Sequence, residues 1–195
     1  MKKVCSILFI GVLLSACSKN DMDRTIFIPD KNDSNLPAYT EWGYNSFGAK
    51  YERDYFLSSD AFVPCKIVYK DGQLQFLLQG EIKNNWKKMT LTFIFPSEPL
   101  QNYNDLAKLN NRKINLADDD CTVIITRDSS ETILNVSGGE LHFKRAQLLS
   151  IDEEMNRVIL SGVFDVQFLQ DNLPFSFSNG RFDVGITKDV FAVVK

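Results

Sequence analysis

A two-residue alternation of apolar and polar side chains runs through most of the chain beyond residue 60, and it constrains the fold more tightly than any other feature. Leu74, Phe76, Leu78 and Ile82 share one parity, with Gln75, Gln79, Glu81 and Lys83 on the other; Met89, Leu91, Phe93 and Phe95 likewise oppose Thr90 and Thr92. That is the period of half-buried antiparallel strands. Asn84-Asn85-Trp86 between the two runs reads as a hairpin turn. The pattern returns over 121–126, 132–136, 141–151, 158–168 and 175–186, with Asn156 read as the turn between the two longest runs. Asn179-Gly180 suits a bulge or tight turn, since both residues tolerate positive φ. Only 104–109 looks helical, with Asn104 as its cap and Leu106 and Leu109 on one side. The expected fold is all-β, an antiparallel β-sandwich with a small β-barrel as the alternative, and at most one short helix. Residues 39–195 are expected to form this single domain.

The N-terminus carries an address. Lys2 and Lys3 form a positive segment, followed by an apolar run over 7–14. A membrane span needs ~20 apolar residues, so 1–16 reads instead as a secretory signal peptide. Leu14-Ser15-Ala16-Cys17 closes it. This segment resembles the lipobox of bacterial lipoproteins, and the resemblance implies cleavage before Cys17 and acylation of its sulfur. Two or more acyl chains anchor a protein stably, so the membrane is an expected partner through the lipid. Residues 17–38 are rich in Asp, Asn, Lys, Ser and Pro and read as the acylated Cys and a flexible linker. Lys19-Asn20-Asp21 partly resembles the Lys-plus-acid export signal of Bacteroidota lipoproteins. The expected location is the outer membrane, with the domain either surface-exposed or periplasmic-facing.

Composition removes several classes of function. With 195 residues, 44% hydrophobic and 24% charged, the chain is neither disordered, collagen-like nor polytopic. A net charge of −3 argues against nucleic acid as a partner, because non-specific binding to phosphates needs a basic face. Four Cys and one His are too few for most zinc frameworks, so no metal and no cofactor are expected.

Four segments then resemble one family. Gly43-Tyr44-Asn45-Ser46-Phe47-Gly48 is similar to a GxNTFG-type motif near the start of small Bacteroidota lipoproteins of unknown function. Phe62-Val63-Pro64 fits the aromatic-x-Pro that ends their first strand. The run from Leu160 to Phe168 and that from Phe177 to Ile186, which contains Gly180-Arg181-Phe182-Asp183, resemble their C-terminal segments. The chain departs in having Ser46 for Thr, Ala49 where Cys is frequent, and an insertion over 51–60. The resemblance implies an all-β fold and no established activity.

Residues able to do chemistry are sparse. His142, the only His, lies on the parity of Lys144 and reads as a solvent-facing strand residue. A Ser161/His142/Asp165 triad can be drawn on paper only; no nucleophile elbow, HExxH or phosphate-cradling loop accompanies it. Asp118-Asp119-Asp120 lacks the ligand spacing of a calcium loop and reads as a solvated turn, as do Glu153 and Glu154. No catalytic residue is assigned. Aromatic residues are more suggestive: Trp42, Tyr44, Tyr51 and Tyr55, with Tyr39 and Phe56, crowd a polar stretch, and Trp86 sits in the hairpin turn. Exposed Trp and Tyr build contact platforms; the alternative is that these rings pack inside. Cys65 and Cys121 share parity with apolar neighbours and point inward, either as a disulfide or as separate buried thiols. The expectation is therefore a cell-envelope lipoprotein acting as a binding or structural module rather than an enzyme, with a glycan or protein partner. The alternatives are an envelope glycan hydrolase and a subunit of a surface assembly.

Overall fold

The computed structural model describes residues 24–59, 64–151 and 154–194. Residues 1–16, read above as a signal peptide, Cys17, the Lys19-Asn20-Asp21 segment, Phe62, Val63 and Glu153 lie outside the described residues. Twelve strands are joined in one sheet. In chain order they are β1 (Ser46–Tyr51), β2 (Asp54–Ser58), β3 (Cys65–Lys70), β4 (Gln73–Ile82), β5 (Lys87–Pro96), β6 (Arg112–Asn115), β7 (Thr122–Arg127), β8 (Ser130–Ile133), β9 (Asn135–Ile151), β10 (Glu154–Gln170), β11 (Leu173–Ile186) and β12 (Phe191–Val194). The spatial order is β6-β9-β10-β11-β1-β2-β4-β5-β7-β8, with β3 on β4 beside β2 and β12 on β3. Every pairing is antiparallel except β12 with β3.

The fold is thus all-β and antiparallel, as the alternation requires, and its layers come from one sheet that curls into a half-barrel. Inward-facing phenylalanines from its two halves meet in the core. Phe76 of β4 lies 5.3 Å from Phe143 of β9 and 5.0 Å from Phe182 of β11, and Phe93 of β5 lies 5.4 Å from Phe164 of β10, ring centre to ring centre. All five are at most 3% exposed. Each such ring contributes ~1.5–3 kcal/mol by burial, and tilted or edge-on ring pairs add to that. Bending a sheet this far needs close backbone approach on its concave side. Gly162 provides it: a Cβ there would fall 2.6 Å from Phe182 Cζ and 2.1 Å from the His142 carbonyl oxygen.

The long runs read from the sequence correspond to β4, β5, β7, β9, β10 and β11. The segment 132–136 is not one strand but the end of β8 and the start of β9, with Leu134 donating its N–H to Val123 O at 2.9 Å between them. Asn156 lies within β10 rather than in a turn. The helix is a 3-10 helix over Tyr103–Leu109, and its cap is Asn102 instead of Asn104. Asn102 is extended and its side chain accepts from Asn104 N at 2.9 Å, while Asp105 returns the bond by accepting from Asn102 N at 3.2 Å. That reciprocal pair closes a capping box.

The largest departure concerns the linker. Residues 25–38 do not hang free; they lie on the convex face of β1 and β11. Leu36 is fully buried, and Pro37 packs where a Cβ on Gly48 would come within 2.5 Å of it. The charges that made this segment look solvated are used in holding it down. Arg181 Nη1 meets Asp30 Oδ2 at 2.7 Å, and Lys50 Nζ meets Asp33 Oδ2 at 3.0 Å. The linker reading of 17–38 is therefore corrected from residue 25 onward. Among the described residues, no helix is long and apolar enough to cross a membrane.

Candidate functional site

The convex face of β9, β10 and β11 carries the chemistry of this domain, and a buried carboxylate organises one end of it. Asp183 of β11 is 1% exposed. Its Oδ1 accepts from Gly43 N at 2.8 Å and from Ser161 Oγ at 2.8 Å. Its Oδ2 accepts from Thr40 Oγ1 at 2.5 Å, Trp42 N at 3.1 Å and Tyr44 N at 3.3 Å. Five donors compensate one buried charge, and no cation is among them. Nearby, Asn45 Oδ1 accepts from Gly185 N at 2.9 Å. Gly43 has φ of +73° and sits against Ile159, a position that favours glycine. The N-terminal and C-terminal motifs singled out in the sequence are thus two halves of one junction. Its residues are spent on each other, so it is a lock rather than a reactive site.

Beyond the lock, an open groove runs along β9–β11. One section, about 350 Å³, is lined by Tyr39, Glu140, Lys144, Asp165, Asn179 and Arg181. The next, about 520 Å³, includes Glu52, Gln167 and Phe175 and shares Asp165 and Asn179 with the first. The shared residues lie at a β-bulge. Asn179, at φ of +53°, is the extra residue of β11, because Phe164 pairs Gly180 while Val166 pairs Phe177. This is the bulge that Asn179-Gly180 predicts, and it re-aims side chains locally. Asp165 Oδ2 accepts from Glu140 N at 2.9 Å; Glu140 pairs with Lys113 at 3.2 Å; Glu52 Oε1 accepts from Ser176 N at 2.8 Å. Among the described residues, the side chains of Gln167 and Asn179 and the Asp165 Oδ1 make no hydrogen bond. Both cations are engaged: Arg181 by Asp30, Lys144 by lying 5.0 Å from the Tyr39 ring centre. Burial, reinforced by the bond to Glu41, holds the Tyr39 hydroxyl protonated far above the usual phenol range.

The aromatic candidates do not form one platform. Tyr51 stacks on Phe177 at 4.6 Å, and its hydroxyl accepts from Arg127 Nη2 at 2.7 Å. The Tyr55 hydroxyl is hydrogen-bonded to Asp33 at 3.3 Å and lies 3.3 Å from Asn35 Nδ2, while Phe56 is fully buried. Tyr44 is half-buried and Tyr39 borders the groove. Only Trp42 and Trp86 are strongly exposed, at 72% and 66%. They are not brought together. Trp42 sits before β1, at the Asp183 end, whereas Trp86 caps the β4–β5 hairpin, where Asn84 N donates to Asp54 at the far end of β1 and β2. The binding set Trp42, Tyr44, Tyr51, Tyr55 and Trp86 is corrected accordingly: strand ends scatter it, and two of its rings are structural.

The paper triad is likewise not assembled. Ser161 Oγ is buried on Asp183, while His142 Nε2 faces Asn111 Oδ1 at 3.3 Å. Burial, then the charge of Lys113, lowers the His142 pKa below its ordinary value. Asp118, Asp119 and Asp120 lie exposed in a turn, and among the described residues no three His, Cys, Asp or Glu side chains gather as metal ligands. Cys65 and Cys121 are both free thiols, so the bridge is not formed. Register explains why: Cys65 aligns through Leu78 and Leu91 with Ile125, three strands away, and Cys121 lies four residues farther along. A disulfide needs Cα atoms within ~7 Å. Burial pushes the Cys65 thiol far up and the Cys121 thiol up to about 11.

Sequence reasoning missed the groove, because its residues come from three strands and, through Tyr39 and Glu52, from the stretch read as an aromatic cluster. The signal that was present is Asn179-Gly180. Comparison with family models, curated proteins and solved structures gives no match to this chain.

Proposed function

We propose that this protein is a lipid-anchored binding module of the bacterial cell envelope, held at Cys17, and that it binds a neutral glycan chain non-catalytically in the convex groove of β9–β11. The observation that carries this reading is the set of uncommitted polar groups at the groove's centre, Asp165 Oδ1, Gln167 and Asn179, in a groove that the Tyr39 ring borders. Planar amides and carboxylates pair with neighbouring sugar hydroxyls, and aromatic rings take the apolar face of a pyranose. Three carboxylates line the groove while both of its cations are engaged, which disfavours a polyanionic ligand.

The test is titration of isotope-labelled protein with neutral oligosaccharides released from envelope glycans, read by amide chemical shifts. Shifts clustered on Asp165, Gln167 and Asn179 support the reading, and Gln167→Ala should weaken binding about threefold to tenfold, the value of one or two hydrogen bonds. No shift in the groove with any such glycan overturns it. A lysine-rich peptide shifting the same amides would replace the glycan with a basic peptide. Glycan turnover abolished by Asp165→Asn would make the protein a hydrolase.

A further inference from the structure

We propose that the exposed run Ile26-Phe27-Ile28, together with Trp42, is a membrane-docking face that seats the domain on the bilayer in which its own Cys17 is anchored; the proposal rests on the lipid anchor proposed above. Three consecutive large apolar side chains stay 46%, 42% and 41% exposed, although the chain on either side is tied to the sheet. The backbone holds them in place. Ile26 N donates to Tyr44 O at 2.8 Å and Ala38 N donates to Ile28 O at 2.6 Å, so the run lies alongside the 38–44 loop that carries Trp42. Trp42 is itself fixed, through its N–H, to the buried Asp183 carboxylate. Side chains that insert into a lipid interface gain most when the backbone beneath them is already ordered, because little further entropy is lost.

The occupant follows from the length of chain that leads to the anchor. Cys17 precedes Ile26 by nine residues. A fully extended chain spans at most ~3.6 Å per residue, so the run lies within about 32 Å of the acylated sulfur by any path. A tether that short keeps the face at high effective concentration beside the bilayer. The chemistry matches an interface: Trp and Phe sit at headgroup depth, and the exposed Arg24 and Lys31 bracket the run as cations for anionic headgroups. Among the described residues the acids nearby are engaged, Asp30 by Arg181, Asp33 by Lys50 and Glu41 by the Tyr39 hydroxyl.

The experiment uses the full-length protein carrying Trp86→Phe, which leaves Trp42 as the only indole. Acyl chains at Cys17 are read by intact mass, and the protein is reconstituted into phosphatidylethanolamine vesicles with a minority of phosphatidylglycerol, with and without brominated acyl chains. Docking predicts a blue-shifted Trp42 emission and at least a twofold loss of intensity with brominated lipid. Phe27→Ser should reduce that quenching about twofold while leaving the unfolding midpoint unchanged, since Phe27 is an exposed side chain outside the core. An acylated protein whose Trp42 emits as in the soluble Cys17→Ser form overturns docking and leaves the anchor standing. Full quenching in Phe27→Ser also overturns it. An unmodified Cys17 overturns the anchor itself, and docking with it.

Discussion

Asp183 accepts the backbone N–H of Gly43 at 2.8 Å across 140 residues of sequence. The bond ties the loop before β1 to the C-terminal part of β11, and through Ser161 to β10. Removing the carboxylate leaves three amide N–H groups and two hydroxyls without their acceptor. Asp183→Ala should lower stability by ~3–5 kcal/mol, the range for breaking a buried charged network. Denaturant unfolding measures this; a loss under 1 kcal/mol would show that the lock is not stabilising.

The two thiols should behave as separate groups, Cys65 buried and Cys121 half-buried. In acylated protein, a thiol reagent at pH 8 should react slowly with Cys121, whose pKa is pushed up to about 11 by burial and then by Asp120, and not measurably with Cys65. After unfolding without reductant, both should titrate. No titratable thiol would mean that a bridge forms in solution.

Acid should release the N-terminal segment before the sheet unfolds. Asp30 is held below the usual carboxylate range first by the Asn32 N–H and further by Arg181, and Asp33 first by Lys50. A depressed folded pKa means that this stabilisation is complete above the unfolded value near 3.8 and disappears as pH falls through the lower folded value. Amide exchange of Asp30 and Leu36, whose N–H groups bond within the segment, should therefore accelerate below about pH 4 while β4 and β5 stay protected. Uniform acceleration across the domain would refute a separate release.

Aromatic truncations should divide by burial. Tyr51→Ala loses the stack on Phe177 and the Arg127 bond and should cost ~2–4 kcal/mol, or roughly 5–15 °C in Tm for a domain of this size. Trp42→Ala and Trp86→Ala, by contrast, should stay within about 0.5 kcal/mol of wild type. Thermal unfolding of the three variants checks both statements.

Some of this protein was written in its residues alone. The alternation of Leu74, Phe76 and Leu78 against Gln75 and Gln79 determines β4, because a side-chain period of two leaves only one way to bury that face. The hairpin at Asn84-Asn85-Trp86 and the bulge at Asn179 were legible for the same reason: local backbone conformation restricts residue type there. The short strands β1, β2, β3, β6 and β12 were not legible. β1 buries four residues in succession, Ser46 to Ala49, because the sheet covers one side and residues 25–38 cover the other, so its alternation is erased. The same docking turned an apparent linker into structure, since Asp30 and Asp33 look solvated until Arg181 and Lys50, far along the chain, are placed beside them. Asp183 read as the end of a motif, and only the curled sheet made it the partner of Gly43. The groove is a product of tertiary structure in the same way. Periodicity reports how one strand divides between core and solvent; which solvent-facing side chains become neighbours is decided by strand order, and strand order depends on contacts that no local pattern encodes.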